Sequence, residues 1–382
     1  MVLVKSFTDL LSGYGTDFFT GVPDSLLKSF CAFLTDNYNE NSHIIAVNEG
    51  AAIALAAGYH LATEKIPLVY MQNSGIGNAV NPLLSLTDSD VYSIPMVLLV
   101  GWRGEPGTKD EPQHIKQGKV TCSLFDSMGI PYLILSKNED EIKKQIEDCY
   151  TYIKKNNSPF ALIVQKDTFS PYTLSSGKEE TNSYAQMTRE EAIEEILLSS
   201  SPQDVFISTT GMASRELFEL RKKHNMGHNR DFLTVGSMGH ASSLALSIAL
   251  NKPELSVTCI DGDGAVLMHL GSLAAIGERK PINLRHIVIN NGAHDSVGGQ
   301  PTIAQSIDLC GIARSAGYEK AVSVKTKEEL RSFLSDYKSD KSKLLFLEII
   351  VRKGNRNDLG RPDTNPLDNK KNFMLFLKEG KT

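Results

Sequence analysis

Short runs of consecutive apolar residues recur along the whole chain, separated by stretches with helical periodicity. Because these runs do not alternate with polar residues, they indicate strands buried on both faces, which is typical of parallel sheets. The runs are Ile44–Val47, Leu68–Met71, Met96–Val100, Tyr132–Leu135 and Ala161–Val164 in the first half, and Val205–Ser208, Phe232–Val235, Ser256–Ile260, His286–Ile289 and Leu344–Ile350 in the second. Strands that alternate with helices predict an α/β architecture.

A polar segment separates the two halves of the chain. Over residues 167–186 the apolar periodicity disappears, and Ser, Thr, Pro and charged residues dominate, as they do in linkers. Thr188 and Glu191 then form the pattern of a capping box, which starts a new helix. We therefore predict two doubly wound α/β domains with no middle domain: a first domain over 1–168, a linker over 169–186 and a second domain over 187–382.

Composition narrows the class of protein. Of 382 residues, 41% are hydrophobic and 22% are charged, which is typical of soluble globular proteins. The net charge of −5 and the lack of a long basic stretch argue against a nucleic-acid partner. The apolar run over 94–102 is too short to cross a membrane, and the N-terminus is too polar for a secretory signal. Five dispersed cysteines suit a reducing compartment, so we expect a cytoplasmic protein without a membrane partner.

Two polar motifs follow neighbouring predicted strands: Gly-Asp-Gly at 262–264 and Asn-Asn at 290–291. Asp263 offers a carboxylate oxygen, Asn291 an amide oxygen and Ala293 a backbone carbonyl. Oxygen ligands at the carboxyl ends of parallel strands suit Mg²⁺, provided that a diphosphate supplies the remaining ligands. By itself, Gly-Asp-Gly is about as often an ordinary turn as a ligand-binding motif. The spacing of 28 residues between Asp263 and Asn291 makes the pair of motifs more specific.

This pair of motifs resembles that of the thiamin-diphosphate-dependent enzymes. The resemblance implies that thiamin diphosphate and Mg²⁺ are the cofactors and that the second domain binds the diphosphate. Gly262, Gly264 and Ala265 would then contact the diphosphate, because glycines allow close approach of the backbone and a helix N-terminus favours the charge. In the loop that follows Phe232–Val235, the resemblance places Met238 beneath the cofactor and the Gly236 carbonyl against its 4′-amino group. Without that resemblance, a methionine such as Met238 is more often part of the hydrophobic core than a cofactor contact.

Glu49 begins an alanine-rich helical stretch directly after the strand predicted at Ile44–Val47. By itself, a glutamate there commonly offsets the positive end of a helix dipole. The resemblance instead implies that the first domain binds the pyrimidine ring and that Glu49 hydrogen-bonds its N1′ atom. It further implies a homodimer, or a dimer of dimers, with each active site between subunits.

In its predicted lack of a middle domain, the chain resembles the phosphonopyruvate and sulfopyruvate decarboxylases. Five segments carry a resemblance to the former: Gly21–Lys28, Tyr70–Asn78, Gly101–Thr121, Thr209–Glu219 and Ile289–Thr302. The implied reaction is non-oxidative decarboxylation of 3-phosphonopyruvate, an anionic 2-oxo acid, to phosphonoacetaldehyde and CO₂, a step of phosphonate biosynthesis. Three alternatives stay open: a sulfopyruvate decarboxylase, a thiamin-diphosphate carboligase and, least favoured, a catalytically inactive thiamin-binding module.

A substrate with a carboxylate and a phosphonate needs cations and hydrogen-bond donors. Arg103 and Lys109 lie in the Gly/Pro-rich segment after Met96–Val100, although mixed charge in such a segment is also typical of a solvated surface. Lys28 could reach the same site, and Asp295 follows the metal motif. We therefore expect Arg103, Lys109 and Lys28 to contact the substrate, and we expect Asp295 to contact it because the resemblance implies that it faces the thiazolium.

Three further residues complete the predicted catalytic set. His114 lies where related decarboxylases place active-site histidines. Asp24 resembles the acidic residue that, in pyruvate-type decarboxylases, aids proton transfer to the carbon that loses CO₂. His294 follows the metal motif and is expected to face the thiazolium. The identity of the proton donor stays open among them.

Overall fold

The structure is a computed structural model, and it describes residues 1–175, 186–339 and 343–379. Residues 176–185, the central part of the predicted linker, lie outside the described residues. The chain divides into two compact units, Met1–Glu179 with Ser296–Gln300, and Glu180–Asp295 with Pro301–Thr382. In the described ranges, no helix is long and apolar enough to cross a membrane.

The first unit is built on a parallel sheet. Its strands are β1 (Phe19–Gly21), β2 (His43–Ile45), β3 (Leu68–Gln72), β4 (Val97–Gly101), β5 (Tyr132–Ile134) and β6 (Phe160–Val164). They lie in the order β2-β1-β3-β4-β6-β5, and every neighbouring pair is parallel. The helices are α1 (Val4–Gly13), α2 (Lys28–Asn37), α3 (Glu49–Thr63), α4 (Ile76–Pro82), α5 (Pro112–Met128) and α6 (Glu139–Asn156), with a 3₁₀ turn at Asn73–Gly75 and a π-helical turn at Leu83–Thr87.

The second unit repeats this plan. Its strands are β7 (Val205–Ser208), β8 (Asp231–Leu233), β9 (Val257–Gly262), β10 (Leu284–Asn290), β11 (Lys320–Val324) and β12 (Leu345–Ile350). They lie in the order β11-β12-β10-β9-β7-β8, again with parallel neighbours. The helices are α7 (Arg189–Ser199), α8 (Met212–Lys223), α9 (Ala241–Asn251), α10 (Asp263–Met268), α11 (Ser272–Arg279), α12 (Leu309–Ala316), α13 (Lys327–Ser339) and α14 (Pro366–Glu379), with a 3₁₀ turn at Ala304–Ser306. A 3₁₀ turn at Asp295–Val297 begins at Asp295 and continues into the segment Ser296–Gln300.

Both sheets owe their parallel form to strands that are apolar on both faces. All five residues of β4 and of β6 are buried, as are all seven of β10. Helices cover the faces because parallel strands need crossover connections. Side chains start several of these helices: Asn48 accepts from the Ala51 N–H at 2.8 Å, and Thr188 with Glu191 forms the predicted capping box.

The predicted fold class is confirmed. Each of the ten predicted strands overlaps a strand of the structure, within a few residues at the ends. The sequence analysis missed β1, which is only three residues long, and β11, an edge strand whose residues are mostly half-buried or exposed. In both sheets, the second strand is added on one side of the first strand and the third strand on the other side, so the strand order switches between strands one and three. Parallel sheets bind ligands at the carboxyl ends of the strands beside such a switch point.

Candidate active site

Glu49 is the first residue of α3, and its carboxylate is fixed by two neighbours. The side chain is buried, with 5% of its surface exposed, and Oε2 accepts a hydrogen bond from Asn78 Nδ2 at 2.7 Å. A Cβ atom on Gly75 would lie 2.2 Å from Oε1, so the carboxylate packs directly over that glycine. Burial raises the pKa of Glu49, and the bond from Asn78 opposes this shift. The arrangement therefore places a buried carboxylate with a raised pKa at a strand-to-helix junction.

Asp24 follows β1 and is fully buried. Its Oδ2 accepts from the Leu26 N–H at 2.8 Å, whereas Oδ1 has no hydrogen-bond partner in the described ranges. Burial raises the pKa of Asp24 to about 6, although the Leu26 N–H and the charge of Arg103 pull it down. A Cβ atom on Gly101, the last residue of β4, would lie 2.2 Å from Oδ2, so glycine is required there for Asp24 to fit. A carboxyl group that titrates near neutral pH is suited to proton transfer.

Arg103 follows β4 and is held by an acid from its own loop. Its Nε donates to Asp110 Oδ2 at 2.8 Å, its Nη2 donates to Asp110 Oδ1, and its Nη1 donates to Ser25 at 2.6 Å. The Asp110 pKa lies well below its usual range: burial would raise it, but hydrogen bonds from Arg103 and His114 outweigh this effect. The predicted substrate cation is thus already neutralised by a two-point ion pair.

His114 and the two lysines complete the predicted set in the first unit. His114 is buried near the start of α5, and its Nδ1 lies 2.8 Å from Asp110 Oδ1. Burial lowers the pKa of His114, while the bond to Asp110 raises it. Lys28 begins α2 and is exposed, as is Lys109. The structure thus brings Arg103 and His114 together through their shared partner Asp110, and the charge of Arg103 acts on Asp24. It leaves the lysine side chains in solvent.

Asp263 lies at the start of α10, directly after β9, with 3% of its surface exposed. Its Oδ2 accepts a hydrogen bond from the Thr302 hydroxyl. Burial raises the pKa of Asp263 to about 6, with the Thr302 bond acting in the opposite direction. A nearby cation would offset the unfavourable burial of this carboxylate.

Asn291 is oriented by Asp295, four residues further along the chain. Asn291 Nδ2 donates to Asp295 Oδ2 at 2.6 Å, while its Oδ1 accepts from the Ala293 N–H at 3.1 Å. The same Asp295 oxygen accepts from Arg189 Nη1 at 3.0 Å and from the Gly354 N–H at 2.9 Å. Asp295, predicted as a substrate contact, is thus engaged by three donors that fix the loop at residues 291–295, and substrate binding by it stays a prediction.

Met238 and His294 converge on Gly264. A Cβ atom on Gly264 would lie 3.3 Å from Met238 Cε and 3.0 Å from His294 Cε1, so a larger residue would crowd both side chains. The Gly236–Gly239 loop turns sharply, with positive φ angles of 53° at Ser237 and 85° at Gly239. Burial lowers the pKa of His294 to about 4, so its imidazole is neutral at physiological pH.

The residues present fit a diphosphate-bound cation. Asp263 and Asn291 offer side-chain oxygen atoms of the kind that Mg²⁺ prefers, and Gly264 provides space where a Cβ atom would be crowded. Within the first unit, the buried Glu49 carboxylate is in place to accept a hydrogen bond from a ring nitrogen. The partners Asn78, Thr302 and Arg189 were not predicted, because each reaches its site through tertiary contacts that leave no local sequence pattern. Asp110 lies in the same loop as Arg103 but was not predicted as its partner.

Comparison with known families gives the class of the protein. Residues 1–124 match the family model described as thiamine pyrophosphate enzyme, N-terminal TPP binding domain, and residues 209–349 match the corresponding C-terminal TPP binding domain. The chain therefore belongs to the thiamine pyrophosphate enzymes, as the two motifs and Glu49 predicted.

Individual relatives narrow the class further. The chain is 32% identical to the phosphonopyruvate decarboxylase of Streptomyces viridochromogenes, over 96% of this chain and 93% of that protein. It is also 32% identical to the phosphonopyruvate decarboxylase of Streptomyces hygroscopicus, with 97% and 92% covered. The sulfopyruvate decarboxylase of Methanosarcina acetivorans is 27% identical, with 91% of each chain covered. These relatives are 2-oxo-acid decarboxylases, which are carbon–carbon lyases, and they confirm the prediction of an enzyme of that class.

Proposed function

We propose that the protein decarboxylates 3-phosphonopyruvate to phosphonoacetaldehyde and CO₂, using thiamin diphosphate and Mg²⁺, as a step of phosphonate biosynthesis. The observation that carries this proposal is the similarity, along nearly the whole chain, to two phosphonopyruvate decarboxylases. Sulfopyruvate decarboxylation is the second candidate, because a relative of that name also matches nearly the whole chain.

The residues of the second unit would hold the cofactor. Asp263, Asn291 and the Ala293 carbonyl supply oxygen ligands for Mg²⁺, and Gly262, Gly264 and Ala265 form the backbone beside the diphosphate. Met238 would pack against the rings of the cofactor, and the Gly236 carbonyl would be an acceptor for its 4′-amino group. Bound thiamin diphosphate supplies an electron sink for the carbon that loses CO₂.

Two carboxyl groups of the first unit would move protons. Glu49 would hold a hydrogen bond to the pyrimidine N1′ at Oε1, since Oε2 is engaged by Asn78. Asp24 would hold a proton at Oδ1 for the carbon that loses CO₂, because this atom has no partner in the described ranges and the Asp24 pKa of about 6 leaves part of the population protonated near neutral pH. His114 and His294 are alternative donors, although burial lowers the pKa of both.

Three cations would bind the anionic substrate. Lys28 and Lys109 are exposed, whereas Arg103 must share its guanidinium with Asp110. Replacing Arg103 with Ala should lower kcat/KM for phosphonopyruvate about ten- to a hundredfold more than for pyruvate, since a hydrogen bond to a charged group contributes ~1.5–3 kcal/mol. If Arg103 only anchors Asp110, both substrates would lose equally, and the exposed lysines would be the remaining candidates.

We also propose that the protein works as a homodimer, or as a dimer of dimers, with its active sites between subunits. Two helices carry apolar side chains on their outer faces. In the first unit, Leu55 and Leu61 of α3 are 37% and 71% exposed, and an apolar groove runs beside the helix. In the second unit, Leu244 and Leu250 of α9 are 39% and 48% exposed. Such faces favour burial against another copy.

The decisive test measures CO₂ release from phosphonopyruvate, sulfopyruvate and pyruvate, each with and without thiamin diphosphate and Mg²⁺. We expect the highest kcat/KM on phosphonopyruvate and no release without the cofactor. A preference for sulfopyruvate would select the second candidate. Product formed only when an acceptor aldehyde or 2-oxo acid is added would instead identify a carboligase.

A further inference from the structure

A second cluster of ligand-type side chains lies inside the second unit, within the sheet. Cys259 and Asp261 lie two residues apart on β9, and therefore on the same face, and His286 pairs with Cys259 across the β9–β10 ladder. One potential ligand atom from each residue lies within 4.8 Å of the other two. All three side chains are fully buried.

Two atoms of this cluster lack the partners that buried polar atoms normally have. Asp261 Oδ2 and His286 Nε2 lie 3.5 Å apart, and neither makes a hydrogen bond within the described residues. Among the same residues, the other Asp261 oxygen accepts a hydrogen bond only from its neighbour, the Gly262 N–H, at 3.1 Å. Leaving buried polar atoms unpaired costs about 1–3 kcal/mol each, and an unseen ion is one established cause of such a pattern.

The hydrogen-bonding contact of the other ring nitrogen, Nδ1, orients His286 to bind a cation. His286 Nδ1 lies 3.0 Å from the hydroxyl of Tyr318, which is itself 3% exposed. When Nδ1–H donates to the phenol oxygen, Nε2 is unprotonated and its lone pair faces Cys259 and Asp261. Metal-binding histidines in proteins are oriented by a partner on the opposite ring nitrogen in this way.

We propose that Cys259, Asp261 and His286 bind a divalent transition-metal ion, for which Zn²⁺ is the best match. Thiolate, carboxylate and imidazole are all Zn²⁺ ligands, and three protein ligands leave a fourth position for water. The thiol proton is released to solvent on binding, so a thiolate and a carboxylate balance the two positive charges inside the core. The oxygen set at Asp263 and Asn291 suits Mg²⁺ instead, so the two sites differ in the metal that they select.

The position of the cluster indicates its role. β9 and β10 end in the segments that carry Asp263 and Asn291, so an ion that joins the two strands would fix the spacing of those segments. The metal acts here as a structural link, and its presence does not depend on which 2-oxo acid the enzyme uses.

The test uses the wild-type protein, purified and dialysed against a weak chelator with Mg²⁺ present throughout. Elemental analysis should find one Zn²⁺ per chain. X-ray absorption at the zinc edge should show a single sulfur ligand at about 2.3 Å and nitrogen or oxygen ligands at about 2.0–2.1 Å. Protein regrown with Co²⁺ should show a thiolate-to-cobalt charge-transfer band.

Variants assign the site and decide the outcome. Cys259→Ser should abolish the cobalt band, whereas Cys310→Ser, at another buried cysteine of the same unit, should retain it. A wild-type protein without bound Zn²⁺, a zinc spectrum without sulfur, or a band that survives in Cys259→Ser would each overturn the proposal. Because the zinc content and the spectrum of the wild-type protein can already contradict the proposal, it is testable even if the Cys259 variant fails to fold.

Discussion

The two units of this protein share one strand order, but the buried carboxylates at their candidate sites follow different strands. Counted from the first strand of each unit, both sheets have the order 2-1-3-4-6-5. In the first unit, Glu49 follows strand two and Asp24 follows strand one. In the second unit, Asp263 and Asn291 follow strands three and four, and the Met238 loop follows strand two. The shared order fixes where loops can meet, while the loop residues decide what each unit can bind.

The comparison also separates two uses of buried carboxylates. In the first unit, Glu49 and Asp24 are buried with few partners, so burial raises the pKa of each and makes proton exchange accessible. In the second unit, the Asp263 pKa is raised as well, but Asn291 and Asp295 beside it form a network of oxygen atoms that suits a cation. We therefore expect substitutions in the first unit to affect turnover and those in the second to affect cofactor binding.

The largest effect is expected at Glu49. Glu49→Gln keeps the size of the side chain but removes its proton-accepting charge, so kcat should fall ~10²–10⁴-fold, the usual contribution of general acid–base catalysis. The melting temperature should stay the same or rise, because a buried charge is lost. Glu64→Gln, at the exposed end of the same helix, is the matched control and should retain full turnover. Equal kcat values in the two variants would remove Glu49 from the mechanism.

The second prediction concerns cofactor binding by the second unit. Asp263→Asn removes the one carboxylate proposed for Mg²⁺. At a hundred times the wild-type Kd, thiamin diphosphate with Mg²⁺ should stabilise the wild type by ~2.7 kcal/mol and this variant hardly at all. Asp363→Asn, in an exposed part of the unit, is the control.

Mixing Asp263→Asn with Glu49→Gln should restore partial activity if active sites are shared between subunits. Failure to restore activity despite proven subunit exchange would refute such sharing.

A smaller effect is expected for Asp295, which orients Asn291. Asp295→Asn should raise the Mg²⁺ concentration for half-maximal activity ~10–100-fold, as loss of a residue that orients a metal ligand commonly does, with kcat recovered at saturating Mg²⁺. Exposed Asp358 supplies the control variant, Asp358→Asn. If KM for the substrate rises instead and the Mg²⁺ requirement is unchanged, Asp295 contacts the substrate, as the sequence analysis predicted.

The smallest effect is a pH dependence of stability in the first unit. The pKa of Asp24 is about 6 in the folded protein, above its usual 3.8, so its protonated form is favoured by folding. Its contribution is fully present below pH 3.8 and is lost as the pH rises through 6. Relative to Asp24→Asn, the wild type should lose roughly 2 kcal/mol of unfolding free energy between about pH 4 and 6, measured by urea titration without cofactor. Parallel pH curves would show that Asp24 is not buried as described.

Local patterns predicted the sheets and the central acids, but not the partners of those acids. The apolar runs located ten strands because burial on both faces leaves a continuous signal. β1 is too short to leave such a signal, and the exposed parts of β11 are polar. Asp263 and Glu49 were predicted from short motifs, whereas the ion pair between Arg189 and Asp295 joins residues 106 positions apart. Tertiary packing creates contacts of that kind, and no spacing in the sequence indicates them.

The strand order also constrains how the chain can fold while it is being synthesised. In each unit the fifth strand lies at the edge and pairs only with the sixth, which arrives later in the sequence. β5 must therefore wait for β6, which ends at Val164, and β11 must wait for β12, which ends at Ile350. A nascent chain that is arrested before Leu345 leaves both β10 and β11 with an unpaired edge. When β12 forms, it pairs with both of these strands at once. Until that moment, the ribosome-bound chain exposes strand edges of the kind that promote misassembly and chaperone capture.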